Sequence, residues 1–129
     1  MNTPVSFELA KLLKEKEYKD KNMLGTVRLS EPEFYDPNGI IHNIKDIFEE
    51  KDYKIEDCFN APTIAEVVMW LYENHKNWIE VYMDDNATFG YLISKIEKDG
   101  RIDYPIVRNF NSPTEAYLSA ITHTLNNLL

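Results

Sequence analysis

Cysteine is almost absent: Cys58 is the one thiol in 129 residues. A lone cysteine closes no internal disulfide and builds no thiolate metal cluster within the chain. Small secreted domains usually carry paired cysteines. Glycine is also scarce, and Gly25, Gly39, Gly90 and Gly100 stand far apart. No glycine-rich phosphate cradle can be assembled from them, which excludes a P-loop and a dinucleotide fingerprint. Long apolar runs are missing too. The longest, Val67 to Tyr72, is far too short to cross a bilayer. The opening stretch Met1 to Glu8 has no basic segment, and Glu8 and Lys11 interrupt any apolar one. No signal peptide is expected, and the expected location is cytoplasmic.

Positive charge is the remaining shortage. Fourteen Lys and Arg face 22 Asp and Glu, for a net charge of −8. Nonspecific binding to nucleic acid is therefore expected to be poor. The acids cluster between residues 43 and 58, where Glu49, Glu50, Asp52, Glu56 and Asp57 make a candidate acidic face. A solvated surface explains such a run in the ordinary case. The sharper reading is a face that meets a basic partner.

What the chain does have is a core. Hydrophobic residues make 43% of it and aromatics 12%, which argues against disorder and suits a single domain over residues 1–129. Val5, Leu9, Leu12 and Leu13 share one helical face, so a helix is expected over 5–17, capped by Ser6 or Thr3. A short strand is expected near 24–29. Asp36-Pro37-Asn38-Gly39 is a turn between Phe34-Tyr35 and Ile40-Ile41, giving a small hairpin. Ile44, Ile47 and Phe48 suit a short helix after it.

The second half is more legible. Thr63-Ile64-Ala65-Glu66 reads as a capping box, and Ile64, Val67, Val68 and Leu71 as the inner stripe of a helix ending near Asn74-His75. Residues 78–83, 89–97 and 101–107 read as strands of an antiparallel meander. Asp99-Gly100 supplies a type I′ turn between the last two. Pro105 lacks an N–H, so the third strand is expected at a sheet edge. Ser112-Pro113-Thr114-Glu115 opens a final helix with Leu118, Ile121, Leu125 and Leu128 inside. The expected fold is α+β: helix, small hairpin, helix, three-stranded meander, helix, with the helices packed on the sheet.

Some of these segments resemble a known set of proteins. Ser6-Phe7-Glu8-Leu9-Ala10-Lys11-Leu12-Leu13-Lys14-Glu15-Lys16 is similar to the opening of small uncharacterised proteins from phage-like and prophage-like regions of gut Bacteroidetes. Ala61-Pro62-Thr63-Ile64-Ala65-Glu66-Val67-Val68-Met69-Trp70-Leu71-Tyr72-Glu73 resembles their middle segment. Phe110-Asn111-Ser112-Pro113-Thr114-Glu115-Ala116-Tyr117-Leu118, with the Leu125 to Leu128 ending, resembles their C-terminal helix. The matching residues are caps and inner faces, so the resemblance implies a fold and assigns no activity.

Motifs for catalysis are lacking. His42, His75 and His123 have no i, i+4 partner, and Cys58 follows two acids that disfavour a thiolate. Asp84-Asp85-Asn86 lacks the pattern of a calcium loop and reads as a turn. No serine sits in a nucleophile elbow. No cofactor and no metal are expected. The favoured reading is a non-enzymatic accessory or interaction protein of a phage-like or mobile element, binding a basic host protein through its acidic face. Two alternatives stay open: a nucleic-acid module that stacks bases on Tyr82, Tyr91 and Tyr104, and a small enzyme with no recognisable motif. Met69 and Trp70 lie outside the inner stripe of their helix, and Tyr72 lies on its shoulder. Either the rest of the chain covers them, or they contact a protein partner or a second copy.

Overall fold

A computed structural model describes residues 3–18, 33–43 and 52–129. The expected strand at 24–29, the expected helix at 44–48, and Glu49 and Glu50 lie outside these residues. The described residues are α+β, with three helices and antiparallel sheets. They group into two compact units that divide between Thr63 and Ile64.

The first unit begins with α1, Phe7–Glu15. Ser6 caps it, its hydroxyl accepting the Leu9 N–H at 3.2 Å. Leu9, Ala10 and Leu13 form the buried face. Strands β1 (Glu33–Tyr35), β2 (Ile41–Asn43) and β3 (Phe59–Asn60) make an antiparallel sheet in the order β2-β1-β3. The expected hairpin is there, and Asp36 shapes its turn. One carboxylate oxygen accepts the N–H of Asn38 and of Ile40, at 2.9 and 3.1 Å. Gly39 takes φ +85 and lies under the Phe7 ring, where a Cβ would come within 3.0 Å. Phe7 also packs on Tyr35 and Phe59, with ring centroids 5.5 and 5.6 Å away. That aromatic group ties α1 to the small sheet.

The second unit opens with α2, Ile64–His75, whose Ile64, Val67, Val68 and Leu71 are buried. Its end is set by Lys76, at φ +57. The Lys76 N–H reaches back to the Tyr72 carbonyl at 3.0 Å. A left-handed residue after the last turn is the common helix stop, although glycine fits it better. Strands β4 (Asn77–Met83) and β5 (Phe89–Glu97) then pair from Asn77↔Lys95 to Met83↔Phe89. Asp84 closes the connection, accepting the Asn86 and Thr88 N–H groups and the Thr88 hydroxyl, the last at 2.6 Å.

The third strand departs from expectation. In place of one run over 101–107 there are two short strands, β6 (Gly100–Asp103) and β7 (Val107–Phe110). Both pair with β5. Pro105 sits in the break between them, where its ring fixes φ and its missing N–H ends the ladder. Asn109 at φ +75 and a register shift opposite Phe89 and Tyr91 distort the second piece further. The turn before β6 also differs. Glu97 pairs with Gly100, so the loop residues are Lys98 and Asp99, and neither takes a positive φ. Gly100 carries the unusual angle instead, at φ +145, so the turn is not type I′.

The chain ends in α3, Pro113–Asn127. The Ser112 hydroxyl accepts the Glu115 N–H, and the Glu115 carboxylate accepts the Asn111 N–H, both at 3.1 Å. Ala116, Ala120, Ile121, Thr124 and Leu125 are buried. Leu118 and Leu128, expected inside, are half-buried. The two alanines let the helix lie close to the sheet. α3 packs on β4 and β5 and touches β7, while α2 touches β4 and α3. Ile79, Tyr91 and Ile93 are buried on the sheet face that these helices cover.

Candidate interaction surfaces

The first candidate surface lies in the first unit. Pro37, Asn38, Asp52, Tyr53, Lys54 and Asp57 line an open depression of 530 Å³. Asp52 and Asp57 are exposed, as is Glu56 beside them in the short 3-10 turn Ile55–Asp57. Three of the acids singled out in the sequence thus come together in space. Lys14 anchors the turn beneath them. Its ammonium donates to the Glu56 and Cys58 carbonyls at 2.6 and 2.9 Å, so the carboxylates themselves stay at the surface.

A histidine pairing adjoins this depression. His42 Nε2 lies 2.9 Å from the second carboxylate oxygen of Asp36. The His42 ring stacks on Phe34 at 5.3 Å and tilts against Tyr53 at 5.8 Å. Asp36 is buried, and its hydrogen bond from His42, followed by those from Ile40 and Asn38, holds its carboxyl below the usual range. The pair was not foreseen from sequence, where the histidines looked scattered. A four-residue turn between Asp36 and the start of β2 was its only trace. All of the Asp36 bonds serve the hairpin, and they account for the residue without any chemistry. Among the described residues, no three His, Cys, Asp or Glu side chains gather where a metal ion could bind.

The second candidate is the outer side of α2. Met69 is 44% exposed there. Trp70 and Tyr72 are half-buried, one on each shoulder. The Trp70 ring meets the His75 ring edge-on at 4.8 Å, and the Tyr72 ring meets Trp78 at 5.5 Å. Lys76 places its ammonium 5.5 Å from the Tyr72 ring centre. Met69 is thus the most exposed of the three, and the Trp70 and Tyr72 rings each have an aromatic neighbour of their own. His75 is held below its ordinary pKa, first by burial and then by the Lys95 ammonium, which donates to its carbonyl at 2.7 Å.

The third is the far edge of the larger sheet. Ile102, Ile106 and Val107 are 55%, 47% and 39% exposed. The helical layer covers β4, β5 and β7 and leaves β6 bare, with all four of its residues exposed. Of the tyrosines nominated for base stacking, Tyr82 and Tyr91 lie on opposite faces of the sheet, and Tyr104 is half-buried beyond β6. Tyr91 is buried beneath the helices, and Tyr82, paired with Gly90, points to the opposite face with its hydroxyl buried. No helix among the described residues is long and apolar enough to cross a membrane.

No family model, no curated protein and no solved structure matches this chain.

Proposed function

We propose that this protein acts by binding rather than catalysis, and that its partner is a basic protein. The observation that carries this is the depression lined by Asp52, Tyr53 and Asp57, with Glu56 at its margin. Carboxylates beside an aromatic ring suit a Lys or Arg side chain, which gains charge pairing and a ring face together. The net charge of −8 adds long-range attraction for a basic surface. The resemblance to phage-type proteins supports an accessory role in a phage-like or mobile element, acting on a protein of the host.

The test uses a partner identified from the natural host and then purified. Asp52→Lys with Asp57→Lys should weaken its binding at least tenfold and flatten the salt dependence of the wild type. Binding that ignores both the substitutions and the salt sinks the proposal.

A further inference from the structure

We propose that β6 is a dimer edge, on which a second copy of this chain lays its own β6 antiparallel, centred on Ile102. The two 4-stranded sheets then become one continuous sheet.

The main chain sets the geometry. In an antiparallel ladder the N–H and C=O of one residue point to the same side, and the side alternates along the strand. The Tyr104 N–H donates to Ile93 at 2.9 Å, and β6 keeps that register back to Glu97↔Gly100. Gly100, Ile102 and Tyr104 therefore direct their polar groups at β5. Arg101 and Asp103 direct theirs outward, where no described strand meets them.

Charge selects the occupant and the register. Arg101 and Asp103 flank Ile102 on one face of the sheet, with Arg101 Nε 3.2 Å from an Asp103 carboxylate oxygen. Antiparallel pairing about Ile102 sets Arg101 of each copy opposite Asp103 of the other. Those two positions then exchange reciprocal main-chain hydrogen bonds on both sides of the centre. A register centred on Arg101 or on Asp103 instead opposes like charges, which repel across a strand pair.

Apolar contact completes the match. Ile102 lies on the other face, beyond the reach of α3, and is 55% exposed. In the centred register it meets its own copy at a non-hydrogen-bonded position, where side chains approach most closely. Pro105 is the next outward position and has no N–H, so it ends the pairing and keeps the contact short. A contact of this size gives a weak, concentration-dependent dimer.

Sedimentation velocity tests the proposal. The weight-average mass should rise from 15.2 kDa towards twice that value as concentration climbs from about 10 µM to about 1 mM. Arg101→Asp should hold the protein monomeric, and Arg101→Asp with Asp103→Arg should restore the dimer. A wild type that stays monomeric throughout overturns the proposal and leaves Pro105 and the edge charges as guards against pairing. A dimer that survives Arg101→Asp overturns it in favour of another surface. Failure of the charge swap to restore the dimer overturns the register. Should the variants not fold, amide exchange in the wild type decides. Arg101 and Asp103 amides should slow with concentration, while those of Ile102 and Tyr104 stay protected throughout; concentration-independent exchange at Arg101 and Asp103 refutes the edge.

Discussion

Gly90 is a position where the larger sheet has no room for a side chain. It lies in β5 opposite Tyr82 of β4, on the face away from the helices. A Cβ built there would stand 2.9 Å from the Tyr82 hydroxyl oxygen, 2.9 Å from the Val107 carbonyl and 3.0 Å from Tyr82 Cζ. The phenol is the softer neighbour, since its ring can tilt. The Val107 carbonyl is main chain in β7, which β5 holds only at Phe89↔Phe110 and Tyr91↔Val107. Relieving that contact means loosening the strand. Overpacking of this kind costs roughly 1–3 kcal/mol, and a main-chain neighbour places Gly90→Ala near the top of that range. The loss should lower the melting temperature by about 4 °C per kcal/mol in a chain of this size.

Equilibrium urea unfolding of four proteins separates the two contacts: wild type, Gly90→Ala, Tyr82→Phe and the double variant. The Tyr82 hydroxyl is buried and has no hydrogen-bond partner among the described residues. Tyr82→Phe alone should therefore be neutral or mildly stabilising. It should recover part of the Gly90→Ala loss, the remainder being the share of the Val107 carbonyl. A Gly90→Ala protein within about 0.5 kcal/mol of wild type refutes the reasoning, because a Cβ that costs so little has met no fixed atom.

Two further outcomes follow from the same structure. His75 has a folded pKa below its unfolded value. Its contribution is complete above the unfolded pKa of about 6.5 and is lost as pH falls towards the folded value. Unfolding free energy should thus drop between pH 7.5 and 5, and His75→Gln should flatten that slope; an equal slope in both proteins counts against it. Ser112→Ala removes the cap of α3 and should cost about 1 kcal/mol, measured by thermal unfolding, whereas Ser112→Asn should restore most of the loss.

Sequence patterns located the elements wherever local chemistry decides them. Ser112-Pro113 caps and starts α3, and the 89–97 run matches β5 residue for residue. The inner stripe of α2 is buried as its spacing predicts. Patterns failed where a residue's setting depends on its neighbours in space. Tyr82 and Tyr91 look alike in a list of strand aromatics, but the β4–β5 register puts them on opposite faces. Trp70 and Tyr72 meet the rings of His75 and Trp78, contacts that helical spacing alone does not show. Asp36 and His42 meet only because the hairpin folds them together. The exposure of Ile102 depends on how far the helical layer reaches, which no residue of β6 encodes.

The turn before β6 shows how much a one-residue move of the loop controls. With Asp99 and Gly100 as the loop, Lys98 would pair with Arg101 across the hairpin. The residues flanking a two-residue loop form a hydrogen-bonded pair, and such pairs recur at every second position. Arg101 and Asp103 would then bond to β5, and Ile102 would turn its main chain outward. The observed loop is Lys98 and Asp99, with Glu97 paired to Gly100. That single step leaves each side chain on its own face and reverses the edge. It puts the main chain of Arg101 and Asp103, the two oppositely charged residues, on the open side. Gly100 permits it, because φ +145 lies outside what a side-chain-bearing residue adopts without strain. The glycine that the sequence offers as a loop residue serves instead as the first residue of the strand, and the outward polarity of the sheet edge follows from that position.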